Sequence, residues 1–211
     1  RLLEYFTASR PFAPRYTAFL AIFHKLMQEL RGKAAIVTGS SRNVGRAIAM
    51  ELAAAGADIL VNALTSAREA EDTADAIRLH GVKACCFIGD VADPKAVGEM
   101  MALAARKLGR IDILINNASL RKEQKFEAIT LADWRRIMAV TLDGAFLCAQ
   151  ACLPHLVRAG GGAIVNIGGV AGHLGVRNRA HVVTAKAGLA GLTKALALDL
   201  AEHGITVNCV A

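Results

Sequence analysis

Thr38-Gly39-Ser40-Ser41-Arg42-Asn43-Val44-Gly45 stands between a short apolar run, Ala34 to Thr38, and a helical pattern running from about Val44 to Ala55. An apolar run that stops at a glycine and restarts with helical periodicity reads as strand, tight turn, helix. A turn of that kind aims free backbone N–H groups and the positive end of the helix dipole at one point, where a phosphate is well received. Gly39 serves the sharp turn, and Gly45 lets the helix come close to strand and ligand. Position 43 holds Asn where a middle glycine would be most permissive; Asn is the side chain that best tolerates positive φ after glycine, so the turn is expected to persist.

Outward from this turn the chain keeps one rhythm. Asp58 to Val61 reads as a second strand, Ser66 to His80 as a charged helix and Val82 to Ile88 as a third strand. Pro94 opens the next helix near its first turn, and Ile111 to Ile115 is a fourth strand. A long helix follows from about Leu131 to Val157, then a strand from Ala163 to Ile167, a helix from about His181 to Glu202 and a strand from Ile205 to Val210. Strict alternation implies right-handed crossovers and a parallel, doubly wound α/β sheet of the Rossmann type, three layers deep. Ligands of such sheets bind beyond the carboxyl ends of the strands.

Composition agrees. The 211 residues fit one domain of ordinary size, 54% are apolar and only 5% aromatic, as expected of parallel strands covered on both faces. Five cysteines with no C-x-x-C, and with Cys148 and Cys152 four apart on a helix, read as reduced packing residues of a cytoplasmic protein without a metal site. No apolar run reaches the ~20 residues of a membrane span. Residues 1–31 stand outside the rhythm as an N-terminal helical extension, with Tyr16, Phe19, Leu20, Phe23, Leu26, Met27 and Leu30 on one stripe, and residues 32–211 form the domain. Of the net charge of +7, more than half lies in residues 1–33, where six basic groups face two acids. That stretch is read as a solvated arm or a packed helix; nucleic acid or a membrane surface is the lesser reading.

Taken together, the motifs resemble the short-chain dehydrogenase/reductase family. The loop at Thr38 is similar to T-G-x-x-x-G-x-G. Gly89-Asp90-Val91 resembles the adenine-pocket motif, and Asn116-Asn117-Ala118-Ser119 resembles N-N-A-G with Ser in the last place. Ala185-Lys186-Ala187-Gly188 resembles the active-site helix, and Ile205-Thr206-Val207-Asn208 the sixth-strand signature. The five occur in order over residues 33–211. The resemblance implies a nicotinamide dinucleotide held by Gly39, Ser41, Arg42, Asn43, Val44, Gly45, Asn62, Asp90, Val91, Asn117, Ala118 and Lys186. It implies a small-molecule carbonyl or alcohol substrate, and a homodimer or homotetramer through the two long helices.

An NAD site of this kind usually has an acid at the end of the second strand to bond the ribose 2′-hydroxyl. Asn62 holds that place, followed by Ala63 and Leu64, while Arg42, with Ser66 or Arg68, is available to pair with a 2′-phosphate. NADP(H) is therefore expected over NAD(H).

The resemblance also implies a catalytic set of Asn, Ser, Tyr and Lys. Lys186 matches its lysine, but the tyrosine place is Val182, the serine place Gly169 and the Asn place Thr141. Valine neither gives nor takes a proton, and positioned acid–base groups typically supply ~10²–10⁴ in rate. His181, one helical step from Val182, and His173 in the preceding loop are the candidate replacements, with Arg177, Arg179 and Thr184 nearby. Two readings follow: an oxidoreductase with altered acid–base residues, or a non-catalytic NADP(H)-binding subunit. The chain is also expected to lack the family's C-terminal, substrate-covering part, since it stops at Val210-Ala211.

Overall fold

The structure, a computed structural model, describes residues 29–211. The N-terminal stripe from Tyr16 to Met27 lies outside the described residues. Six strands, β1 (Ala34–Val37), β2 (Asp58–Ala63), β3 (Ala84–Ile88), β4 (Ile113–Asn116), β5 (Gly162–Ile167) and β6 (Ile205–Val210), form one sheet in the order β3-β2-β1-β4-β5-β6. Every pairing is parallel. The order steps outward from β1 on one side, then returns to β4 on its other side. The expected doubly wound sheet is thus what the chain forms, with its switch point between β1 and β4.

Alternation along the central strands sorts the core. Ala35 and Val37 of β1, with Ile59 and Val61 of β2, face α1 (Asn43–Ala54) and α2 (Ala67–Arg78), packing on Ala49, Ala53, Ala70, Ala74 and Ile77. Ala34, Ile36 and Leu60 face the opposite way, onto α3 (Pro94–Leu108) and the long helix after β4, where Met100, Ala104, Cys148, Cys152 and Leu156 meet them. The period of two in strand side chains makes this division, and small residues on the helices let them lie close to the sheet. The two cysteines are fully buried, and burial pushes both thiols up to about 12.

The long helix is a composite: α4 (Leu131–Met138), a π-helical turn (Ala139–Asp143) and α5 (Gly144–Arg158). By length and overall hydropathy alone, this 28-residue stretch would be long and apolar enough to cross a membrane. In the fold its apolar side is spent against the sheet side of the core, through Val140, Cys148, Cys152 and Leu156, and against Val182 and Ala185 through Ile137, so it is a core helix. Gly144 is needed there because a β-carbon would run into Val91.

Helix starts and stops follow local chemistry. Asp93 caps α3, accepting from the N–H of Lys95, with Pro94 in the first turn and Gly109 (φ +87°) at its end. The last helix, α6 (Ala180–Asp199), stops short of the expected Glu202, because Ala201–His203 tightens into a 3-10 turn and Gly204 (φ +66°) swings the chain into β6. One buried acid pins the far end of the sheet. Asp112, 3% exposed, accepts from the Ala34 N–H at 3.0 Å, from Lys33 Nζ at 3.1 Å and from both Nε and Nη2 of Arg110.

Candidate active site

At the carboxyl ends of β1 and β4 the Thr38–Gly45 turn and the Asn116–Ser119 segment are sewn together. Thr38 Oγ1 donates to the Ile115 carbonyl and accepts from the N–H groups of Asn117 and Ala118, both at 3.0 Å. Asn117 Nδ2 donates at 2.9 Å to the carbonyls of both Thr38 and Gly39. Gly39 (φ +61°) lies so close that a β-carbon would come 3.0 Å from Ala118 Cα, and one on Gly45 would overlap Asn117 Nδ2 and the Gly39 carbonyl. Asn43 adopts φ +51°, the left-handed conformation its side chain was expected to tolerate.

From this turn a cleft of about 820 Å³ runs along the strand ends to α6. Gly39, Ser41, Arg42, Asn43, Val44 and Gly45 line one end, Asp90 and Val91 the flank, Asn117, Ala118 and Ser119 the middle, and Gly169, Val182 and Lys186 the inner end. Lys186 is buried, and its Nζ donates to the Ile167 carbonyl at 2.5 Å. Burial holds its ammonium below the usual lysine value of 10.5; the Cys209 sulfur opposes that fall and the Arg121 charge deepens it.

The family model for short chain dehydrogenases matches residues 33–211, the whole of this sheet and both walls of the cleft. The chain belongs to the short-chain dehydrogenase family. It is 37% identical over 179 residues to the 3-oxoacyl-[acyl-carrier-protein] reductase FabG of Staphylococcus aureus, covering 85% of this chain and 73% of that protein. A short-chain type dehydrogenase/reductase from Mycobacterium marinum superimposes with TM-score 0.83 at 35% identity, over 89% of this chain and 76% of the other. A 7α-hydroxysteroid dehydrogenase solved with NADH and 7-oxo glycochenodeoxycholic acid gives TM-score 0.84 at 31% identity, over 88% of this chain and 72% of that one.

In this short-chain dehydrogenase several residues stand elsewhere than the sequence suggested. Strand β2 runs on to Ala63, not Val61, so Asn62 lies within the strand and not at its end. Its side chain is also fully engaged: Oδ1 accepts from the Gly39 N–H at 3.1 Å, and Nδ2 donates to the carbonyls of Phe87 at 3.3 Å and Gly89 at 3.1 Å. At 2% exposure Asn62 is a strut between the turn and β3, and it lines the cleft together with Ala63, Leu64, Thr65 and Ser66. Asp90 lines the cleft but has its own partners, the Ala92 N–H at 3.0 Å and Arg136 Nη1 at 2.7 Å.

His181 does not reach the cleft. It is fully buried beside the α4–α6 contact, and among the described residues neither ring nitrogen has a hydrogen-bond partner. The rotation of one helical step separates it from Val182, which does line the cleft. His173 and Arg177 are exposed outside it, and Thr184 Oγ1 is turned back onto the Ala180 carbonyl at 2.8 Å. Arg179 does face the cleft, tied to Glu123 at 2.8 Å.

Three features carried no sequence signal. Ser119 Oγ and Thr141 Oγ1 lie 3.2 Å apart, the second presented by the π-helical turn. A buried polar chain runs from Asn116 Nδ2 to Asn166 Oδ1 at 2.9 Å and from Asn166 Nδ2 to Thr193 Oγ1 at 2.9 Å, joining β4, β5 and α6. Arg121 and Arg136 both line the cleft. None of these contacts follows from spacing along the chain; only the parallel register of β4 and β5 brings Asn116 opposite Asn166.

Proposed function

We propose that this chain binds NADP(H) along the cleft and interconverts a carbonyl compound and its alcohol there. The observation that carries the reading is the continuity of the cleft. One wall begins at a glycine turn locked to Asn117 and ends at a buried lysine amine. The residues present fit a dinucleotide: the space that a β-carbon on Gly45 would take is kept clear beside the N-terminus of α1, where a pyrophosphate is favoured. The Mycobacterium marinum protein and the NADH complex of the 7α-hydroxysteroid dehydrogenase share this fold.

The preference for the 2′-phosphorylated form rests on the end of β2. Ala63, Leu64, Thr65 and Ser66 offer no carboxylate to a ribose, and Arg42 faces the same end. The carboxylate that touches Arg42 is Glu69, at 3.9 Å, a loose pair that leaves guanidinium N–H groups free for a phosphate. Titration of the protein with NADPH and NADH, read by calorimetry or by quenching of Trp134, tests this. NADPH binds more tightly, and Arg42→Ala removes at least about tenfold of the difference, the worth of one charge-assisted contact. Equal affinities in the parent protein would refute the preference, and no binding of either would refute the reading.

Bound there, the dinucleotide supplies or takes up the hydride. The proton is left to the chain. Val182 and Gly169 bring no proton donor to the inner end, so Lys186 is the group we assign to it. Its Nζ already points at the strand end through the Ile167 carbonyl, and its burial makes the ammonium a readier acid than a solvated lysine. In reduction Nζ gives a proton to the substrate oxygen; in oxidation the amine takes it back. Ser119, braced by Thr141, offers a hydroxyl to orient that oxygen.

A second reading, a subunit that binds NADP(H) without turnover, draws on the same Val182 and Gly169. Nucleotide binding without turnover across a panel of ketones, aldehydes and alcohols would establish it. The exposed apolar residues Phe146 and Val157 on α5 and Leu198 on α6 support association of copies through these two helices. A sedimentation measurement decides that point.

A further inference from the structure

The cleft is lined by five cationic side chains, Arg42, Arg121, Arg136, Arg179 and Lys186, against one acid, Asp90. Position sorts them. Arg42 and Arg136 belong to the end where the glycine turn would hold the phosphates of a dinucleotide, and Arg136 is already neutralised by Asp90 at 2.7 Å. Arg121, Arg179 and Lys186 belong to the inner end, which no carboxylate lines. Two loops carry the arginines, and these loops are joined: the Gln124 N–H donates to the Asn178 carbonyl at 2.7 Å. Arg179 gives one amine to Glu123, an exposed residue outside the cleft lining, and retains further N–H groups. Arg121 has no ion-pair partner among the described residues.

A concave, partly desolvated site with surplus charge of one sign concentrates ligands of the other sign. Phosphates held at the glycine turn would leave this inner surplus uncompensated. We infer that the substrate is an oxo-acid or hydroxy-acid, with its carboxylate received by Arg121 and Arg179 and its carbonyl or hydroxyl turned toward Lys186. The planar guanidinium fork suits a carboxylate in a way a lone ammonium does not. Beyond Val176, which belongs to both, the cleft adjoins a hollow where Phe126, Ala180 and Val183 stand beside Glu127, Arg177 and Asn178, so there is room for the rest of the substrate that way. The inference rests on the nucleotide-binding reading above and adds the charge of the substrate to it.

The test is a binding measurement on the whole chain, made first with NADPH alone and then with the NADPH complex. The probes are 2-, 3- and 4-oxopentanoate, each compared with its methyl ester, which keeps the carbonyl and removes the charge. At least one acid binds the complex tenfold or more tightly than its ester. Arg121→Ala removes most of that difference, while the ester's affinity and the NADPH affinity stay within about twofold; Arg121→Lys restores part of it. If NADPH binds but each acid and ester bind alike, or if Arg121→Ala leaves the preference intact, the inference is overturned and the nucleotide reading stands. If NADPH itself does not bind, both are overturned.

Discussion

The amide of Asn117 fills the space that a side chain at position 45 would need, and it holds the Gly39 carbonyl in the same place. Gly45→Ala therefore sets a methyl group against β4's loop and the turn's own backbone. The Asn117 amide is held by two hydrogen bonds and the Gly39 carbonyl and Ser40 Cα are backbone, so the helix must move outward. Overpacking of this kind costs about 1–3 kcal/mol, and here it falls on the nucleotide end of the cleft. The expected result is a protein that still folds, with a lower Tm and NADPH affinity reduced tenfold or more by calorimetry. Unchanged affinity would mean that the close approach has no part in binding.

His181→Leu should stabilise the protein. The imidazole is buried with two unpartnered nitrogens, and a buried polar group without a partner costs about 1–3 kcal/mol. For a domain of this size each kcal/mol moves Tm by roughly 2–4 °C. NADPH binding and any turnover should be unchanged, since the ring does not face the cleft. Loss of turnover without loss of stability would return His181 to the chemistry.

Lys186 predicts the pH dependence. Its ammonium is held below 10.5, chiefly by burial. Reduction needs the protonated form, so its rate should fall along a one-proton limb centred below 10.5, while oxidation should rise along the same limb. Lys186→Met removes the limb together with turnover. Stability carries the opposite sign from an ordinary ion pair. The unfolded chain holds this proton more tightly than the folded one, so folding gains stability as pH rises from the depressed value toward 10.5.

Asp112 gives the acid-side counterpart. Burial works to raise its pKa, but Arg110, the Ala34 N–H and Lys33 together hold it below 3.8. The ionised carboxylate therefore favours the fold above 3.8, and that contribution is lost as pH falls through the lowered value. Asp112→Asn should destabilise by about 1–3 kcal/mol at pH 7, because two cations and a backbone donor lose their partner. Denaturant titrations at pH 7 and near pH 2.5 should show the gap closing; a constant gap would make the role purely steric.

Most of the fold was legible because it is written in local signals. Apolar runs such as Ala34–Val37 and Ile205–Val210, broken by glycines, set the strands; Pro94 marked a helix start; Asn43 announced a left-handed turn. The nucleotide end of the cleft was legible for the same reason, being one contiguous segment. The inner end was less so. His181 and Val182 are adjacent in sequence, yet a helix sends one into the core and the other into the cleft, and only packing against α4 decides which. Asn62 was legible as a residue of the cleft, but its hydrogen bonds to the Gly39 N–H and to the carbonyls of Phe87 and Gly89 were not, because they depend on segments distant in sequence. Arg121 became visible only when two loops closed over the same cavity.

Asn43 has a consequence that reaches outside the folded state. A glycine at that place would take its φ of +51° without strain but would leave the unfolded chain freer. Asparagine narrows the unfolded ensemble and accepts a small conformational penalty in the fold, two effects of similar size and opposite sign. The turn is thus held in shape partly by what the denatured chain is denied. A β-branched residue at 43 would raise the penalty in the fold without a matching restriction elsewhere. Substitution there is therefore confined to the few side chains that accept a left-handed backbone.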